Sequence, residues 1–242
     1  MNNKNHTFTV ALIGGDGAGK GTISEMLLEK CPLPLAYLYM GINIESSNVA
    51  LPTSRFIEKF KKSRGDEGYR PPTETTHTSK RKRKNPLWVT LRLVNRIAEE
   101  WYRQYLSRKF RRAGKVVLYD RYFTFDFARN PNESDALYRR RPLDDRLHRW
   151  LLANTYPEPD VVIFLWAPAE VLFARKGEAS LEYLTELMQT FDAKGATHPQ
   201  FIKVDVRQSK DTVFAEVNDH LIRFHESLKT GDSYAPQPKG QV

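Results

Sequence analysis

The chain holds a single cysteine, Cys31, among its 242 residues, so an internal disulfide and any metal site built from several thiolates are excluded. With no partner nearby in sequence, that thiol reads as inert rather than nucleophilic. Long apolar runs are also missing. The longest, around 161–168, is far short of a bilayer span, and MNNKNHTFTV at the N-terminus has no apolar signal region. A soluble, cytoplasmic protein with no membrane partner is expected. No internal repeat occurs, and no Pro- or Gly-rich linker interrupts the middle. One domain over 1–229 is therefore expected, followed by a disordered tail over 230–242.

What the chain has instead is positive charge: 38 Lys and Arg against 29 Asp and Glu, a formal net charge of +9. Such a balance favours anionic partners, whether nucleic acid, anionic lipid or phosphorylated small molecules. The densest run, SKRKRKN, lies within 61–86, a stretch of Thr, Pro, Gly, Ser and charge. It lacks the interleaved aromatic residues of a nucleic-acid surface, which argues against such a partner, and reads as a flexible basic loop.

Along the chain, apolar β-rich runs alternate with helical patterns. TFTVALIG, LAYLYM, VVLY, VVIFLW and FIKVDV read as five strands. Helices are expected from Gly19 to about Cys31, from about Leu87 to Arg112, from Leu143, from Pro168, over 181–193 and over 211–228. The long helix carries Leu91, Val94, Ile97 or Ala98, Trp101 and Tyr105 along one side. TFDFARNPNESDALYRRRP reads as loop. The alternation predicts an α/β protein with a parallel sheet covered on both faces and ligands at the C-terminal strand ends.

The first strand runs directly into GGDGAGKGT, a phosphate-binding loop that opens a helix. Its glycines, Gly14, Gly17 and Gly19, let backbone N–H groups turn inward with Asp16 and Ala18 between them. Lys20 supplies a point charge, and the helix directs its positive end at bound phosphate. The common form of such a loop has a hydroxyl after the lysine as a magnesium ligand; here Gly21 stands there and Thr22 follows. At the end of VVLYD, Asp120 and Arg121 face the same crevice. Asp120 is a candidate to hold magnesium-bound water or accept a proton, and Arg121 to bridge donor and acceptor phosphates.

GKGT resembles adenylate kinase and its nucleoside monophosphate kinase relatives, while GGDGAGK and the DRY of 120–122 resemble thymidylate kinase. The resemblance implies a three-layer P-loop kinase fold, a five-stranded parallel sheet flanked by helices with a short lid. It further implies ATP and Mg2+ as cofactors, Thr22 as an α-phosphate contact, and Arg121 as a phosphate contact next to Tyr122. VNRIAEEWYR resembles the helix whose arginine binds the acceptor monophosphate; Arg96 fits best, with Arg92 one turn away and Arg103 a further option. PDVVIFLWAPAEVLFARK resembles the segment entering the lid, which makes Arg175 the lid arginine, although Trp166 stands where the family has aspartate. VDVRQSKDTV resembles the adenine-wrapping stretch, where Arg207 is placed to stack on the base.

The family's TREPGGT-like segment is replaced by LYMGINIESSNVALPTSR. Tyr39, Asn43 and Arg55 thus become acceptor-side candidates, and Asp126 is placed either to bind acceptor hydroxyls or to cap the next segment. The expected function is transfer of the ATP γ-phosphoryl group by Lys20, Asp120, Arg121 and Arg175 to a small anionic or polyol acceptor. A nucleoside monophosphate is the leading choice and a sugar or other alcohol the alternative, by a monomer or a homodimer. A nucleotide-binding regulatory protein that has lost transfer is the competing class.

Overall fold

TVALI, VVLYD and VVIFLW are apolar without alternation because each is covered on both faces. A computed structural model describes residues 6–41, 49–53, 86–127 and 134–234. In it β1 (Thr9–Ile13), β3 (Val116–Asp120) and β4 (Val161–Trp166) are buried along nearly their whole length. By contrast β2 (Leu35–Tyr39) and β5 (Phe201–Asp205) alternate between buried and partly open positions, as edge strands do. The five form one parallel sheet in the order β2-β3-β1-β4-β5, so the architecture inferred from the alternation is the one observed.

The chain order reverses beside β1, and there the crevice at the C-terminal strand ends opens. The crossovers between strands are helical: α1 (Lys20–Lys30) follows β1, α2 (Pro86–Arg112) follows β2, α3 (Phe123–Phe127), α4 (Asp135–Arg140) and α5 (Leu143–Thr155) follow β3, and α6 (Ala169–Lys176) and α7 (Leu181–Gly195) follow β4. The right-handed rule for such units puts α1 on one face and the others on the opposite one. The last helix, α8 (Lys210–Thr230), returns to pack on α1. Ring contacts join the layers: Phe8 meets Phe224 at 4.9 Å, and Phe164 meets Phe191 at 5.6 Å. The chain then turns back, and the Tyr234 hydroxyl, inside the stretch expected to be tail, lies 2.6 Å from Nδ1 of His220.

One expectation about the elements is corrected. Part of the stretch read as loop after Tyr122 is helical, as α3 and α4. Only long-range contact makes α3 viable, since a five-residue helix does not persist alone: Phe123 and Phe125 are buried, and Lys194 on α7 donates to the carbonyls of Thr124 and Phe125. The apolar stripe of α2 points outward, with Leu91 and Val94 more than half exposed. The basic run, Asn43 and Arg55 lie outside the described residues.

The inner side of α2 is polar instead. Arg103, 1% exposed, donates to Glu99 Oε1 through Nε and an Nη, at 3.1 and 3.0 Å. Its other Nη donates to the carbonyls of Tyr39 and Gly41, at 3.0 and 2.8 Å. Glu99 in turn accepts from the Leu51 amide at 2.9 Å. One buried pair thereby pins the end of β2 and the 49–53 segment to α2, so Arg103 is structural, not a free phosphate ligand. Breaking such a pair strands a buried charge. Arg103→Met is expected to lower unfolding free energy in urea by about 3–5 kcal/mol, and a loss below about 1 kcal/mol would show that the pair is dispensable.

Candidate functional site

The loop after β1 takes its shape from two glycines in the left-handed region. At Gly17 (φ 89°) a Cβ would stand 2.7 Å from the Leu172 carbonyl oxygen, so the loop packs directly on the backbone of α6. Gly19 (φ 80°) is the residue from which α1 starts. Gly21 is different: no atom lies within 4 Å of where its Cβ would be, and its backbone is ordinary. A hydroxyl side chain would fit there, so packing does not dictate its absence. Thr22 is exposed in the first turn of α1.

Lys20 is buried and folded back onto its own loop, donating to the carbonyls of Gly14 and Gly15 at 2.8 and 2.9 Å. Burial, aided by Arg121 nearby, pulls its ammonium down to about 8. Opposite it stands Asp120, which β-pairing sets level with Leu12 of β1 and Tyr39 of β2. The Tyr37 hydroxyl donates to Asp120 Oδ2 at 2.9 Å, while Oδ1 is buried with no hydrogen-bond partner among the described residues.

Arg121 has φ 67°, uncommon for a residue with a side chain. Its amide still donates to Leu12 at 3.0 Å, and its guanidinium returns to the phosphate loop, donating to Asp16 Oδ1 at 2.7 Å. The strain is therefore held in place from both ends. Burial opposes charge on both partners. Even so, Arg121 followed by Lys20 holds the Asp16 carboxyl below the usual range, and Asp126 followed by Asp16 keeps the guanidinium protonated.

Asp126, on α3, completes the cluster. Burial pushes its carboxyl up against the pull of Arg121, Lys20 and Lys194. Lys194 is itself drawn down to about 8 by burial, which Asp126 counters. Neither Tyr37 nor Lys194 was among the residues picked from sequence: one is an ordinary strand aromatic, the other an ordinary helix cation. The spacing of the strands, two positions from Tyr37 to Tyr39 opposite Asp120, is the one sequence signal that bears on Tyr37.

The remaining candidates have other partners. Tyr122 is 1% exposed and belongs to the core: its hydroxyl donates to the Pro157 carbonyl and accepts from Gln104, so it has no face for a substrate. The Tyr39 ring lies under Arg103. Arg92 and Arg96 line a cleft of about 150 Å³ between α2 and α5, with Val89, Leu93, Asp144, Asp145 and His148. There Arg96 Nε is 3.6 Å from Glu100, which also meets Nε2 of the buried His148 at 2.6 Å. Arg175, at the end of α6 beside Gly17, donates to the Val206 carbonyl at 2.8 Å. Four residues, 177–180, separate α6 from α7, so the connection that carries the expected lid is short. Arg207 grips Asp205 and lies over the Trp166 ring at 5.6 Å, with Lys203 over the same ring at 4.5 Å.

Among the described residues no three His, Cys, Asp or Glu form a cluster suited to a metal, and no helix is long and apolar enough to cross a membrane. The state of Lys20 gives a measurable consequence. A bound polyphosphate favours its ammonium form, so ATP binding at pH 8 is expected to take up about half a proton that is already present at pH 6. Calorimetry in buffers of different ionisation enthalpy should record this uptake in the native chain and not in Lys20→Met; equal uptake in both would refute the assignment.

No family model and no curated protein matches the sequence. In structure the chain is similar to thymidylate kinase from Candida albicans, at 19% identity and a TM-score of 0.56, over 90% of this chain and 93% of that one. The fold, a five-stranded all-parallel sheet flanked by helices, is thus that of the thymidylate-kinase type of P-loop kinase.

Proposed function

We propose that this chain is an ATP-dependent phosphotransferase that moves the γ-phosphoryl group to a small acceptor placed opposite the phosphate loop. The observation that carries this reading is the meeting of Lys20, Asp120 and Arg121 at one crevice, with Asp120 Oδ1 buried and unpartnered among the described residues. Lys20 can exchange two loop carbonyls for phosphate oxygens. Arg121, bound to the loop by Asp16, lies where charge develops between donor and acceptor. Arg175 supplies a further cation if it leaves Val206, and Arg207 with Trp166 offers a face for the adenine. The orphaned carboxylate oxygen suits magnesium, directly or through water, and the ion would neutralise the outer phosphates when bound. A protein that only binds nucleotide has no use for Arg121 held in a strained conformation beside the loop, which favours the enzyme over the regulatory alternative.

The structural neighbour is a thymidylate kinase, which favours a nucleoside monophosphate as acceptor; Arg92 and Arg96, in the cleft between α2 and α5, are the cations we assign to it. A sugar or other alcohol is the second reading, favoured by the carboxylate of Asp126 in the crevice. Lys20→Ala is expected to reduce ADP release at least 100-fold, in keeping with loss of a transition-state cation, while leaving thermal unfolding nearly unchanged. Full turnover in that variant would sink the mechanism.

As partner we infer a second copy of the chain. Leu87, Leu91, Val94, Ala98, Trp101 and Tyr105 recur on α2 at alternating steps of four and three, all exposed. Every charged residue between 87 and 105, namely Arg92, Arg96, Glu99, Glu100 and Arg103, lies off that seam. This heptad stripe, about 27 Å long and bounded at one end by Arg108, whose guanidinium lies 5.7 Å from the Trp101 ring, is otherwise uncharged and self-complementary. Sedimentation of the full chain at micromolar concentration is expected to give a dimer, and Leu91→Asp with Val94→Asp a folded monomer. A monomeric native chain would overturn the inference.

A further inference from the structure

We infer that the acceptor nucleophile is a hydroxyl group, the second of the two acceptors named above, and that Asp126 is the base that takes its proton; this rests on the phosphotransferase reading and not on the monophosphate acceptor. Asp126 lies one helical turn after Tyr122, to whose carbonyl its amide donates at 3.0 Å, so α3 carries it back beside the end of β3. Lys194 fixes that turn from α7 by donating to Thr124 and Phe125. The charged groups that bear on the carboxylate come from three elements: Lys20 from α1, Asp120 and Arg121 from the end of β3, and Lys194 from α7.

No hydrogen bond to the Asp126 carboxylate is made among the described residues, although it is half-buried. The carboxylate is an acceptor that is only half-buried, so it is open to a substrate hydroxyl that donates to it. On the acceptor side the Asp126 carboxylate would repel a second anion, whereas a neutral hydroxyl meets no such penalty.

A phosphomonoester is anionic at neutral pH and needs no base, whereas an alcohol does. Asp120 has Tyr37 on Oδ2, and its orphaned Oδ1 is the atom that suits magnesium in the reading above, which leaves the proton to Asp126. In the step itself the acceptor oxygen bonds to the γ-phosphorus and the bond from that phosphorus to the β–γ bridging oxygen breaks. ADP leaves, and the hydroxyl proton passes to Asp126 and then to water. The acceptor class is a neutral polyhydroxylated small molecule.

The test measures ADP release by the full chain and by Asp126→Asn, with water alone as the hydroxyl acceptor and then with glycerol, D-ribose, thymidine and thymidine monophosphate. ATP affinity is followed in parallel. Asp126→Asn is expected to lower turnover with water and with any alcohol accepted by about 10²–10⁴-fold, at an ATP affinity within twofold of native. Turnover within threefold of native would overturn the assignment while leaving the phosphotransferase reading intact. So would thymidine monophosphate serving as the fastest acceptor, unaffected by the substitution. No ADP release from the native chain under any condition would overturn the phosphotransferase reading and this inference with it.

Discussion

The parallel pairing of β1 with β3 is the constraint on which the site depends. It sets Leu12 level with Asp120 and lets the Arg121 amide bond to the Leu12 carbonyl, across more than a hundred residues of chain. Strand pairing of this kind leaves little freedom of register where both faces are buried, because a slip of one residue would turn every side chain over. The phosphate loop and the Asp-Arg pair therefore leave the sheet at one height and on one side. The Asp16–Arg121 ion pair is a consequence of that alignment.

The crevice so formed carries near-equal numbers of opposite charges in a half-buried setting. Lys20 illustrates the result. It rests on two carbonyls of its own loop and is easily deprotonated for a lysine. A group held in that way is ready to bind anions without the cost of maintaining a buried, unpaired charge. Arg121 and Asp120 are held more rigidly, one by its backbone and Asp16, the other by Tyr37.

Helix α2 shows how far a periodicity argument reaches. Its apolar residues recur correctly for a helix, and a helix is there, yet the stripe faces outward while Glu99, Glu100 and Arg103 are buried. Period identifies the helix and its apolar face. Which face meets the sheet was settled by the ion pair between Arg103 and Glu99, the bonds from Arg103 to the end of β2, and the contact of His148 with Glu100. Buried polar groups can compete with an apolar stripe when each finds its partners.

The sequence by itself determined the parallel α/β architecture, the loop and its lysine, and the Asp-Arg pair at a strand end. Those features are local: unbroken apolar strands, glycines where the chain turns onto a helix, and charged residues directly after a strand. Only the tertiary structure decided that Tyr37 supports Asp120, that Lys194 secures the helix bearing Asp126, that Tyr122 belongs to the core, and that Arg96 faces α5. Each of these depends on contacts between segments far apart in the chain, and neither residue type nor spacing carries that information.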